Sequence, residues 1–117
     1  MKRFSTSVLI AALALCAGSA WAKGDIEAGK AKAVVCQACH GADGNAGVDP
    51  QYPRLAGQYH DYLARALHEY KNGERKNAVM AGMAATLTEQ DIENVSSYFA
   101  SLPDSKLTDL HHRVQGD

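Results

Sequence analysis

Two cysteines and a histidine stand together in the segment Cys36-Gln37-Ala38-Cys39-His40, which has the spacing C-x-x-C-H. Two thiols three positions apart on a helical turn point roughly the same way, so each can add across one vinyl group of a haem. The imidazole of His40 then faces the iron and supplies an axial ligand. We therefore predict that Cys36 and Cys39 attach one haem c through thioether bonds and that His40 is its proximal ligand.

A C-x-x-C pair also occurs in zinc sites and in redox dithiols. A zinc site needs four ligands, and only His40 lies near the two cysteines in sequence. A redox dithiol is typical of a βαβ context, whereas no strand pattern occurs along this chain. Haem attachment is therefore the favoured interpretation, with zinc binding and dithiol chemistry as its rivals.

The N-terminus predicts export. Lys2 and Arg3 precede a short apolar run at residues 8–17, and Ala20-Trp21-Ala22 fits an A-x-A cleavage site. The apolar run is shorter than the roughly 20 residues that cross a bilayer. We therefore predict that residues 1–22 are a signal peptide, removed to give a periplasmic protein with no transmembrane segment in its mature chain.

The mature chain is small and mildly acidic. Cleavage after residue 22 leaves 95 of the 117 residues, and the loss of Lys2 and Arg3 takes the formal charge from −1 to −3. Because no basic run remains, we expect no nucleic-acid partner. A domain of this size buries only about 60–70% of its unfolded surface. A covalently held macrocycle would supply part of the missing core.

Helical periodicity accounts for most of the remaining sequence. A first helical segment begins after Asp25 and continues to the C-x-x-C-H motif, and a last helix begins after Thr88 and stops before Pro103. Between them lies a helix with one continuous apolar stripe. The stripe consists of Tyr59, Tyr62, Leu63, Ala66, Leu67 and Tyr70. The pattern predicts an all-α fold.

Turn-forming residues separate these helices. Residues 41–58 are rich in glycine, proline, asparagine and aspartate and are predicted as a long loop, and residues 73–87 as another loop or short turn. We expect a single domain at 23–103, followed by a polar C-terminal tail at 104–117.

The sixth position of the iron decides what such a haem protein does. A methionine thioether favours Fe(II) and raises the reduction potential, and His/Met ligation is typical of electron-transfer cytochromes. The mature chain has two methionines, Met80 and Met83. One of them is a candidate ligand and the other a core filler. If neither binds, an open iron would instead favour a peroxidase-like or gas-sensing protein.

The mature chain resembles the class I cytochromes c, especially small bacterial periplasmic monohaem proteins and single halves of the dihaem kind. The resemblance covers about residues 24–102. It is carried by Gly24 to Lys30, Cys36 to His40, Pro53 to Gln58, and Asn77 to Met80 with the closing helix. It implies a fold of three to five short helices wrapped around one covalently attached haem.

The resemblance also implies roles for individual residues. The carbonyl of Pro53 would accept a hydrogen bond from the axial histidine, and Leu55 would pack on the haem ring. Met80 would be the distal ligand, with Met83 as the alternative, since Met80 lacks the proline that follows the ligand in many members. Gly29 would let the last helix approach closely, near Tyr98 or Phe99.

With both axial positions filled, the resemblance implies a single-electron carrier rather than an enzyme. Its partners would be redox proteins, a donor dehydrogenase or cytochrome and an acceptor oxidase or reductase, met through a weak interface. Arg54, Arg75 and Lys76 are candidates for the rim of that interface. We expect a monomer. A haem subunit of a larger oxidoreductase complex is the remaining alternative.

Overall fold

A computed structural model describes residues 24–45 and 49–107, and within these ranges the chain forms five α-helices and no strand. The helices are α1 (Ile26–Lys32), α2 (Val34–His40), α3 (His60–Asn72), α4 (Ala78–Ala85) and α5 (Glu89–Ser101). The predicted all-α fold is confirmed. The predicted signal peptide at 1–22 lies outside the described residues. No helix in the described part of the chain has the length and apolarity needed to span a membrane.

Three of the predicted helix ends are confirmed by their caps. The side chain of Asp25 accepts a hydrogen bond from the backbone N–H of Ala28 at the start of α1. Thr88 and Asp91 form a reciprocal capping box at the start of α5. Gly73 ends α3 in the left-handed conformation, with φ of 82°. Each cap satisfies backbone groups that a helix end leaves without partners.

The first helical segment is divided in two. Ala33 interrupts it between α1 and α2, and its side chain is wholly buried beside Leu63, Tyr98 and Phe99. The sequence predicts one continuous segment here because the apolar spacing does not change across the break. The C-x-x-C-H motif therefore lies on a short helix separate from α1.

The prediction of a loop or short turn at 73–87 is wrong for its central part, which is helix α4. Asn77 caps this helix by accepting a hydrogen bond from the backbone N–H of Met80 at 3.0 Å. The sequence of α4, AVMAGMAA, is apolar on every face and therefore carries no periodic stripe. Its four alanines favour a helix by intrinsic propensity instead. Met80 and Met83 consequently lie on a helix.

Helix α5 organises the core. Its residues contribute to two buried clusters, one of Ala33, Leu63, Tyr98 and Phe99, and the other of Ala64, Leu87 and Ile92. On a third side α5 crosses α1 at Gly29, where an added Cβ would overlap the carbonyl oxygen of Asn94 and lie 2.9 Å from Tyr98 Cβ. The close approach to Tyr98 that the resemblance implies is therefore confirmed.

Candidate functional site

Helix α2 carries all three residues of the motif, with Cys39 and His40 at its C-terminal end. Cys36 and Cys39 are half-buried, and His40 is 5% exposed in the last turn. The helix ends at Gly41, whose φ of 90° turns the chain away immediately after the histidine. The two thiols lie three residues apart on this helix and therefore share one face of it.

The ring of His40 is held in one orientation. Its Nδ1 lies 2.8 Å from the carbonyl oxygen of Pro53, the contact that the resemblance implies. A carbonyl oxygen only accepts, so Nδ1 must carry the proton in this hydrogen bond. The ring of Tyr52 packs edge-on at a centroid distance of 6.0 Å. With the proton on Nδ1, the nitrogen that can offer a lone pair to a metal is Nε2.

The α2–α3 loop, described at residues 41–45 and 49–59, brings Pro53 to this position. The backbone N–H groups of Leu55 and Ala56 both donate to the carbonyl of Gly44, at 2.7 and 3.0 Å. Gly44 has φ of 70°, and an added Cβ would lie 3.2 Å from the ring of Phe99. Leu55 packs against the same buried cluster as Cys36. Pro53 and Leu55, the two predicted pocket residues, therefore lie on a loop that is fixed to the core.

Gln37, inside the motif, is a positioning residue that the sequence analysis missed. Its side-chain amide donates to the hydroxyl of Tyr98 at 2.9 Å and to the carbonyl of Ala42 at 3.1 Å. These bonds tie α2 to α5 and to the loop that follows it. The sequence feature that could have predicted this contact is Tyr98, because a buried tyrosine hydroxyl usually needs a hydrogen-bond partner.

The surroundings of Cys36 do not favour the two rival uses of the cysteines. Burial raises the pKa of the Cys36 thiol because the apolar core disfavours the thiolate. Zinc binding and dithiol exchange both use a thiolate of the folded protein, which this shift disfavours. Within residues 24–45 and 49–107, no group of three or more His, Cys, Asp or Glu side chains is arranged to hold a metal ion.

The histidines of α3 are engaged elsewhere. His60 Nε2 lies 3.1 Å from the carboxylate of Glu93, and His68 Nδ1 lies 3.2 Å from that of Glu89. Both carboxylates belong to α5, so these pairs join the two helices. Of the histidines in the described residues, His40 is the one that is both deeply buried and held with its ring in one orientation.

The two methionines lie one turn apart on α4, and both are half-buried. Residues three apart on a helix share a face, so Met80 and Met83 present their thioethers on the same side. Together with the thiols of α2 and the free Nε2 of His40, the chain offers two thiols, one imidazole and neutral thioethers. This set of donors fits haem c.

Comparison with known proteins also indicates a haem c protein. The sequence profile of the family described as "Cytochrome c" matches residues 26–103. Cytochrome c4 of Pseudomonas aeruginosa is 49% identical over 84 residues, covering 72% of this chain and 41% of the relative. Cytochrome c-554(548) of Halomonas halodenitrificans is 42% identical and covers 67% of this chain and 96% of the relative.

A solved structure, reduced cytochrome c4 of Pseudomonas stutzeri, superimposes with a TM-score of 0.63 at 43% identity, covering 68% of this chain and 46% of that one. The chain thus spans less than half the length of the cytochromes c4 that it matches, and nearly the whole of cytochrome c-554(548). By the family profile, the relatives and the fold, this chain belongs to the cytochrome c family, whose members bind haem c covalently.

Proposed function

We propose that this chain is an exported, periplasmic single-electron carrier whose haem c is attached through Cys36 and Cys39 and ligated by His40 and Met80. The observation that supports it most strongly is the hydrogen bond from His40 Nδ1 to the carbonyl of Pro53 at 2.8 Å. It leaves Nε2 as the ligating nitrogen and prevents the ring from turning. When bound, haem c supplies an iron that takes up and releases one electron.

The chain's own contribution is to fix the ligands and keep water away from them. A hydrogen bond from Nδ1 to a carbonyl makes the imidazole a better electron donor. Burial of His40, which is 5% exposed, keeps water from competing for either ring nitrogen. Rigid ligands also change little between the two oxidation states, so electron exchange requires little reorganisation of the protein.

Met80 is the proposed distal ligand, and Met83 is the alternative. Asn77 fixes the backbone of Met80 at the start of α4, whereas Met83 lies a turn further along. This arrangement matches the Asn77 to Met80 segment on which the resemblance to class I cytochromes rests. With both axial positions filled, the iron would have no site for peroxide or a small gas. Family membership likewise favours a carrier over such an open-site protein.

All three predicted rim residues make contacts within the chain, Lys76 by donating to the carbonyl of Gly73 at 2.7 Å. The guanidinium of Arg75 stacks on the rings of Tyr62 and Tyr70, and that of Arg54 donates to two backbone carbonyls.

We propose that the partners are a donor dehydrogenase or cytochrome and an acceptor oxidase or reductase, and that the chain meets them as a monomer. Size-exclusion chromatography of a native extract tests this against the alternative, because a subunit of an oxidoreductase complex would elute with the larger assembly.

Replacement of Met80 by alanine is expected to remove the weak far-red absorption band of methionine bound to Fe(III). The reduction potential should fall by on the order of 0.1 V, because a soft ligand that favours Fe(II) is lost. Absorption spectra and a redox titration of the purified variant measure both effects.

Met83→Ala is the matched control, since it removes the same side chain one turn away on the same helix. We expect it to keep the far-red band and a near-normal potential. Loss of the band in Met83→Ala, with its retention in Met80→Ala, would show that the ligand has been assigned to the wrong methionine.

A further inference from the structure

The chain beyond α5 folds back onto the α2–α3 loop. Ser105 donates from its hydroxyl to the carbonyl of Ala56 at 2.6 Å. The side chain of Asn45 donates to the carbonyl of Asp104 at 3.2 Å and accepts from the N–H of Lys106 at 2.9 Å. We call residues 104–107 the strap. It lies outside the match to the family profile, which ends at residue 103.

Arg54 adds a further contact between the strap and the loop. Its guanidinium donates to the carbonyl of Asn45 at 2.9 Å and to that of Lys106 at 3.1 Å. Arg54 directly follows Pro53, the residue whose carbonyl holds His40. Four hydrogen bonds therefore join the strap to the loop, and their partners flank Pro53 in sequence on both sides.

The backbone of the strap and the backbone of the loop both adopt conformations that permit this contact. Asp104 has φ of 58°, a left-handed conformation that turns the chain back after Pro103 and that aspartate adopts more readily than most residues. Gly57 has φ of 72°, and a Cβ at this position would overlap Ser105. The strap therefore passes so close to the loop that only glycine fits beneath it.

Asn45 is the residue on which these contacts converge. Its side chain is almost fully buried, at 3% exposure, and both ends of its amide are bonded to the strap. Without the strap, this amide would lose both of its partners within the chain. The loop is therefore expected to loosen around Asn45 when the strap is absent.

We propose that the strap holds the carbonyl of Pro53 against His40, which makes Asn45 and Ser105 positioning residues for the proximal haem ligand. This inference rests on the proposed function, in which His40 binds the iron. A strap that fixes Pro53 would keep the Nδ1–H bond short and slow its exchange with solvent. It would also keep the imidazole a strong donor, which stabilises Fe(III).

Two truncations of the haem-loaded protein test the strap. One ends at Pro103 and lacks it, and the matched control ends at Leu107 and keeps all four hydrogen bonds. NMR of the reduced protein should show that solvent exchange of the His40 Nδ1 proton is about tenfold faster in the shorter chain and unchanged in the control. The reduction potential of the shorter chain should shift upward, because a weaker Nδ1–H bond makes the imidazole a poorer donor.

If the shorter chain does not fold, point variants test whether the strap positions Pro53 against His40. Asn45→Asp removes the donor to Asp104 but keeps an acceptor for Lys106, and Ser105→Ala removes the bond to Ala56. Ser101→Ala is the matched control, because its hydroxyl donates to a carbonyl within α5. We expect faster exchange of the His40 proton in the first two variants and the wild-type rate in the third.

The outcomes distinguish a failure of the strap proposal from a failure of the proposed function on which it rests. Wild-type exchange and potential in the chain ending at Pro103, or in both Asn45→Asp and Ser105→Ala, would overturn the role of the strap while His40 remained the ligand. A wild-type protein in which the His40 resonances lack the shifts of a haem ligand would overturn the proposed function itself, and the strap proposal with it.

Discussion

Serine in place of both Cys36 and Cys39 is expected to abolish covalent haem attachment and to leave the exported chain largely unfolded. A serine hydroxyl has no sulfur and cannot form a thioether bond. Without the haem, the domain has a thin core: within the described residues, the largest fully buried side chains are Ile92, Val95 and Ser96. Haem staining after denaturing electrophoresis measures the attachment, and far-UV circular dichroism measures the helical content.

The third cysteine of the chain gives the matched control for this variant. Cys16 lies in the predicted signal peptide, outside the described residues, and Cys16→Ala keeps its surroundings apolar. We expect this substitution to leave the haem content of the mature protein unchanged. Acid-resistant haem on the double-serine chain would contradict the proposed attachment site.

Alanine in place of Gly29 is expected to destabilise the domain by about 3 kcal/mol, the cost of overpacking at a site that cannot relax. The added Cβ would overlap the carbonyl oxygen of Asn94, and this backbone atom lies within α5 and has little freedom to move. For a domain of this size, the loss corresponds to a fall in Tm of roughly 10–20 °C. Thermal unfolding of the haem-loaded protein, followed at the far-UV helix signal, measures it.

Gly82 provides a control in which alanine is expected to have the opposite effect on stability. It lies in α4, it is exposed, and an added Cβ would meet nothing within 4 Å. Alanine there should stabilise the protein by about 0.5–1 kcal/mol, because glycine is a poor helix former. An unchanged or raised Tm in Gly29→Ala would show that the crossing of α1 and α5 is looser than described.

Features with a local physical cause were predictable from the sequence. Asp25 and Thr88 are polar residues placed before apolar periodic segments, which is how helix starts are recognised. The approach of α5 to Gly29, by contrast, was implied by the resemblance to class I cytochromes. The hydrogen bond between His40 and Pro53 has the same origin, since nothing in the spacing of these residues places them together.

Helix α4 escaped prediction because its signal is not periodic. Periodicity detects a helix that has one apolar and one polar face, and AVMAGMAA has no polar face. The cap at Asn77 and the high alanine content were the signals that remained. Their neglect left Met80 and Met83 on a loop, where their common face could not be recognised.

The strap escaped prediction for a different reason. Each of its four hydrogen bonds to the loop pairs a side chain, that of Asn45, Arg54 or Ser105, with a backbone group far away in sequence. No local pattern indicates which backbone group such a side chain meets. The stripe of α3 shows a related limit. The structure buries Leu63 and leaves Tyr59 and Tyr62 73% and 48% exposed, although all three lie on one stripe. Ala64, which the stripe does not include, is buried beside Leu63, so the covered face of α3 is rotated from the predicted stripe.

The absorption spectrum of the oxidised wild-type protein, purified from the periplasm, tests the central claim most directly. An iron held by a histidine and a methionine is low-spin and has a weak far-red band, and that spectrum is the result we predict. It would mean that both axial positions are filled and that the haem is suited to electron transfer. A high-spin spectrum without the far-red band would contradict the account, because it would reveal an iron with an open site.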